Sequence, residues 1–112
     1  MKITFKDIPT NSLKAKVSEI KEKNGNFGIY LQLTFTVQEG DLKSYKFTGL
    51  IKPNYFKQSK FHTWVSNILG YVPDDTFSTE ELIGKECLIF LSKKNKYYSV
   101  FHVSSNFEDQ NG

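Results

Sequence analysis

Apolar and polar positions alternate through most of the chain, and the period changes once. Residues 12–22 (SLKAKVSEIKE) set Leu13, Ala15 and Val17 against Lys14, Lys16 and Ser18, the two-residue period of a half-buried strand. Ile20 then stands where Glu19 is due, and a slip of one residue predicts a β-bulge. Asn24-Gly25-Asn26, with Gly28 just beyond, is a turn signal. In FGIYLQLTFTV, Phe27, Ile29, Leu31, Leu33, Phe35 and Val37 are expected on the core side. Tyr30, Gln32, Thr34, Thr36 and Gln38 then face outward. Glu39-Gly40-Asp41 closes that hairpin. A third strand, SYKFTGLIK, puts Tyr45, Phe47 and Ile51 on one face and Lys46, Thr48, Leu50 and Lys52 on the other, with Gly49 allowing a sharp bend.

After Pro53 the period lengthens. Phe61, Trp64, Val65, Ile68 and Leu69 fall at helical spacing, with Ser59 placed to cap the helix and Gly70 to end it. Trp64, in the middle of that stripe, is expected in the core. Ser78-Thr-Glu-Glu81 matches a capping box and predicts one short turn over 80–83, stopped by Gly84. KECLIFLS (85–92) and KYYSVFHV (96–103) read as two closing strands, with Lys93-Lys94-Asn95 between them.

Three strands, a helix and two strands is the order of an OB-fold, a five-stranded Greek-key barrel of all-β class with one helix between strands three and four. A two-layer α+β sandwich with the same element order is the alternative. At 112 residues, with no repeat or linker, the chain reads as one domain over 1–104 and a short polar tail over 105–112.

Charge is uneven. The net +3 divides into +6 over residues 1–60 and −3 over 61–112, and every basic residue is lysine. Aromatics reach 15%, more than so small a core needs, so some rings are expected to be exposed. A basic half with spare tyrosines points to a polyanion partner. Lysines suit phosphates, whereas sequence-specific duplex reading relies on bidentate arginine. No apolar run approaches the ~18 residues of a membrane span. MKITFKDIPT has no apolar stretch behind its lysine, so no secretory signal is expected. Cys87, the single cysteine, cannot form an internal disulfide or a zinc site by itself. A reduced, cytoplasmic setting is expected, that of the host cell if a phage encodes the chain.

No constellation for catalysis stands out. His62 and His102 lack a recognisable nucleophile or metal-ligand partner, Asp74-Asp75 suits a loop, and no phosphate-binding glycine motif occurs. Cys87 reads as a small buried hydrophobe. The expectation is a non-enzyme without cofactor or metal. Single-stranded nucleic acid, by contrast, calls for cations to track phosphates and rings on which bases stack. Lys14, Lys16, Tyr30, Gln32, Thr34, Lys46, Thr48 and Lys52 fall on the outward face of the first three strands. Tyr30 serves there as a stacking platform or else packs under the first loop or in a subunit contact. Tyr55 and Phe56 are a second platform or a plug for the barrel's open end, the plug being favoured. Lys93, Lys94, Lys96 and Tyr97 repeat the cation-plus-ring recipe in the last hairpin, which in an OB barrel flanks the ligand groove.

Four stretches, GIYLQLTF (28–35), YKFTG (45–49), KFHTWVSNILG (60–70) and ELIGKECLI (81–89), together with the order of elements, resemble the small OB-fold single-stranded DNA-binding proteins of bacteriophages and mobile elements of Gram-positive bacteria. The resemblance spans roughly residues 12–103. It implies a non-enzymatic viral or plasmid protein that coats single-stranded DNA in replication or recombination, commonly as a dimer or tetramer. Many such proteins recruit replication or recombination partners through an acidic tail with a terminal aromatic, whereas Phe107-Glu108-Asp109-Gln110-Asn111-Gly112 ends without one. RNA as the ligand and a β-barrel acting in protein interaction or virion assembly, with its aromatics in subunit contacts, are the competing expectations.

Overall fold

A computed structural model describes residues 1–5 and 12–105; the expected polar tail lies almost wholly outside the described residues. Five strands form one antiparallel sheet: β1 (Leu13–Gly25), β2 (Gly28–Val37), β3 (Lys46–Ile51), β4 (Glu86–Lys94) and β5 (Tyr97–Ser104). A helix, α1 (Lys60–Leu69), and a 3-10 turn, Thr79–Leu82, lie between β3 and β4. The hydrogen-bonded order is β3-β2-β1-β4-β5. Five antiparallel strands with one helix is thus the architecture, and the ladders do not close into a barrel.

The bulge in β1 makes this order possible. Up to Lys16 the strand pairs with β2 on one side and β4 on the other; beyond it the ladder continues only with β2. The register slips between Val17 and Glu19, as the phase of Ile20 predicts. There Val17 donates its N–H to the Lys85 carbonyl and accepts from the Gly84 N–H, at 3.0 and 2.8 Å. The extra residue, Ser18, shares a side-chain hydrogen bond with Thr36. A bulge bends its strand, so β1 serves both halves of a coiled sheet.

The two sheet edges then meet without a ladder. Gly49 of β3 faces Val100 of β5 and the indole of Trp64. A Cβ built on Gly49 would lie 3.0 Å from the Val100 carbonyl oxygen and 3.1 Å from Trp64 Cη2. Glycine here is a requirement of close approach. Trp64, 1% exposed, joins Leu33, Phe35, Val17, Ile68 and Ile89 in the core. Cys87 is fully buried with them. The helix boundaries follow their caps: Ser59 Oγ accepts from the His62 N–H, and Gly70 ends α1 in a left-handed conformation, φ 85°. The 3-10 turn carries the expected capping box, Ser78 Oγ accepting from the Glu80 N–H and Glu81 from the Ser78 N–H. It spans 79–82 rather than 80–83.

Three expectations need correction. Phe27 and Ile29 are 79% and 49% exposed, not core: Phe27 stands in the β1–β2 turn and Ile29 near the open end of that hairpin. Tyr45 is exposed as well, since β3 starts only at Lys46. The first hairpin turns at Asn26-Phe27, between the paired glycines Gly25 and Gly28.

Candidate nucleic-acid interface

Cross-strand pairs share a face, so the register shows what stands beside what. Three rows cross β1, β2 and β3 on the outward face: Lys16–Thr36–Lys46, Glu19–Thr34–Thr48 and Lys21–Gln32–Leu50. A fourth begins with Lys23 opposite Tyr30. Lys16, Lys46, Gln32, Thr34, Thr48 and Tyr30 are therefore brought together as the alternation predicts. Lys21 and Lys23 join them and were missed. Their signal lay in the bulge, because the slip that brings Ile20 inward sends residues 19, 21 and 23 outward.

Two acids temper the charge of this face. Glu19 lies 3.6 Å from Lys21 Nζ, and Glu86 lies 3.9 Å from Lys14 Nζ. Such partly exposed pairs are worth about 0–1 kcal/mol, so a phosphate can compete for either lysine. Tyr30 is half-buried. Its ring lies across Gly25, where an added Cβ would come within 2.6 Å of Cε2. The glycine therefore seats the ring in the sheet face at the hairpin end, and the platform is held by backbone instead of swinging freely.

Lys52 departs from the expected face. Its Nζ donates to the Phe27 carbonyl at 3.1 Å and ties the start of the β3–α1 connection to the first hairpin. Behind that tie opens a groove of about 700 Å³ with Ile29, Phe61, Val65 and Phe77 in its wall. Tyr55 and Phe56 also line it and are 100% and 77% exposed, so they stand at its rim and plug nothing. The Asn54 side chain accepts from the Phe56 N–H at 2.9 Å and holds the loop in an open turn that carries both rings away from the core.

The second hairpin differs in detail from its sequence pattern. Lys93 and Lys94 belong to β4, opposite Tyr98 and Tyr97, and the turn is Asn95-Lys96 alone. Asn95 takes φ 59°, which asparagine tolerates at a two-residue hairpin turn. Lys93 Nζ sits 5.9 Å from the Tyr98 ring centroid, and Tyr97 is 76% exposed. Farther along β5, Phe101 and His102 pack on Phe90 of β4.

Groups suited to chemistry are dispersed. His62 lines the groove and His102 belongs to the Phe90 cluster. Among the described residues no three of His, Cys, Asp and Glu gather around a point that a metal could occupy. Burial pushes the Cys87 thiol up to about 12, with a smaller push from the Glu86 carboxylate, so its nucleophilic thiolate form is suppressed. No helix among the described residues is long and apolar enough to cross a membrane.

No protein-family model matches the chain, and no curated protein sequence matches it.

Proposed function

We propose that this protein binds single-stranded DNA without sequence preference, through lysine–phosphate contacts and base stacking on the outward face of β1, β2 and β3. The observation that carries the proposal is the row structure of that face. Tyr30 stands opposite Lys23, and Lys16, Lys21 and Lys46 share the surface with the hydrogen-bonding side chains of Gln32, Thr34 and Thr48. A base stacks on the ring, cations follow the backbone, and the neutral side chains serve any base edge.

The fold supports this use. The order β3-β2-β1-β4-β5, a bent β1, and the close approach of β3 to β5 at Gly49 and Val100 support reading the sheet as an OB-like arrangement. In an OB-like arrangement the β1–β2 and β4–β5 hairpins would flank the binding face, and on this reading Lys93, Lys94, Lys96 and Tyr97 serve at its margin. The resemblance to phage and mobile-element proteins agrees with a non-catalytic coating role during replication or recombination in the cytoplasm.

The test is a fluorescence-anisotropy titration with oligo-dT, oligo-rU and duplex DNA at two salt concentrations. Oligo-dT should bind best and duplex worst, with affinity falling as salt rises. Equal or stronger duplex binding, or no binding at low salt, would refute the proposal. Preference for oligo-rU would reassign the ligand to RNA.

A further inference from the structure

The groove beside the first hairpin is unlike the proposed DNA face in its chemistry. Its wall is apolar, with Ile29, Phe61, Val65 and Phe77, and three acids line it, Glu22, Asp74 and Asp75. Lys52, the lysine that lines it, is engaged with the Phe27 carbonyl, and Lys57, outside the lining, pairs with Asp75 at 3.3 Å, which leaves Glu22 and Asp74 as the open acids. A phosphate backbone is repelled here. An apolar segment carrying a positive charge is attracted.

The chain itself carries such a segment. Met1–Phe5 reads Met-Lys-Ile-Thr-Phe, and Ile3 and Phe5 are 69% and 91% exposed in their own protomer. In an extended segment those two side chains point the same way, with Lys2 and Thr4 on the opposite side. One edge would enter an apolar groove while Lys2 meets acids at its rim. The volume, about 700 Å³, falls within the ~300–1,000 Å³ typical of ligand sites and leaves room for both side chains.

We infer that Met1–Phe5 of a second copy of this chain is the occupant of this groove. Ile3 and Phe5 lie against Ile29, Phe61 and Phe77, and Lys2 pairs with Asp74. Each protomer has one segment and one groove, so a reciprocal exchange about a two-fold axis satisfies both and closes the assembly as a dimer. The inference is independent of the DNA proposal, since it uses a different surface and opposite charge.

The test is mass by light scattering on the full chain without nucleic acid, from about 1 μM to 1 mM, a range that brackets weak and moderate dimers. Dimer should grow with concentration. Ile3→Glu with Phe5→Glu should raise the dissociation constant at least tenfold, and circular dichroism should show an unchanged fold because both residues are exposed. Lys2→Glu and Asp74→Lys should each weaken the dimer, and the two together should recover part of the loss. A chain that stays monomeric throughout, or a dimer indifferent to the Ile3 and Phe5 changes, overturns the inference. So does a double variant no stronger than either single one. Anisotropy with oligo-dT on the Ile3→Glu, Phe5→Glu protein reports separately on the DNA face.

Discussion

Gly49→Ala tests whether the unbonded seam between β3 and β5 is packed tightly enough to act as a barrel closure. The new methyl would point inward, 3.0 Å from the Val100 carbonyl oxygen and 3.1 Å from both Val100 Cβ and Trp64 Cη2. Comfortable separations between carbon atoms begin at about 3.5 Å, so these contacts are short by several tenths of an ångström. Two of the obstructing atoms belong to the backbone or Cβ of β5 and cannot rotate aside; relief requires the edges to part. Overpacking of this kind costs about 1–3 kcal/mol. Replacing a glycine within a strand returns roughly 0.5–1 kcal/mol through backbone entropy. The net expectation is a loss of about 1 kcal/mol, or a fall in Tm of about 4–8 °C for a domain of this size. Urea unfolding followed by fluorescence reads the seam directly, because Trp64 is the only tryptophan. Gly25→Ala is the contrast: its methyl meets the Tyr30 ring, a side chain at the hairpin end, and not the backbone of β5, so the strain is relieved by moving that ring and leaves the seam closed. If Gly49→Ala is neutral or stabilising, β3 and β5 have slack between them and the closure is refuted.

Tyr30→Ala should weaken oligo-dT binding about ten- to hundredfold, since stacking on an aromatic is worth roughly 1–3 kcal/mol, while Tyr30→Phe keeps most of the affinity. Unfolding or loss of assembly at full affinity per folded subunit would instead make the ring structural. Gly25→Ala should displace the same ring and weaken binding in the same direction with the fold intact, and wild-type affinity there would detach Tyr30 from the site. Should Lys16, Lys21, Lys23 and Lys46 all reach phosphates, the log–log salt slope should be near −3, at about 0.7 per phosphate, and each lysine-to-alanine change should make it shallower by about 0.7. A flat salt response removes the electrostatic part of the mechanism. Cys87 should resist thiol reagents in the native protein and react on unfolding. Its raised pKa also makes stability full below pH 9.0 and lower as pH climbs toward 12, because the unfolded thiol ionises first. Rapid labelling of the native chain, or alkaline stability unchanged by Cys87→Ala, would count against this account.

Local physics made most of the elements legible in the sequence. Period-two alternation marks β2 because a half-buried strand exposes every second residue, and the phase slip at Ile20 marks a bulge because no other device moves parity by one. Ser59, Gly70 and the Ser78–Glu81 box mark turns and helix ends because they satisfy backbone groups within a few residues of themselves. The outward placement of Lys16, Tyr30, Gln32, Thr34 and Lys46 follows from the same alternation. Extent and neighbourhood were decided elsewhere. Ile29 obeys the β2 period yet stays exposed, since burial depends on what packs over that end of the hairpin, and Phe27 continues the period in sequence but falls in the turn. The Tyr55 and Phe56 rings lie at a rim because an asparagine-held loop carries them there, and no periodicity records that. Lys52 is drawn off its expected face by a carbonyl 25 residues away in sequence. Above all, the meeting of Gly49 with Val100 depends on how far a bent β1 coils the sheet. That is a property of five strands together, so the choice between an open sheet and a packed seam belongs to the tertiary structure alone.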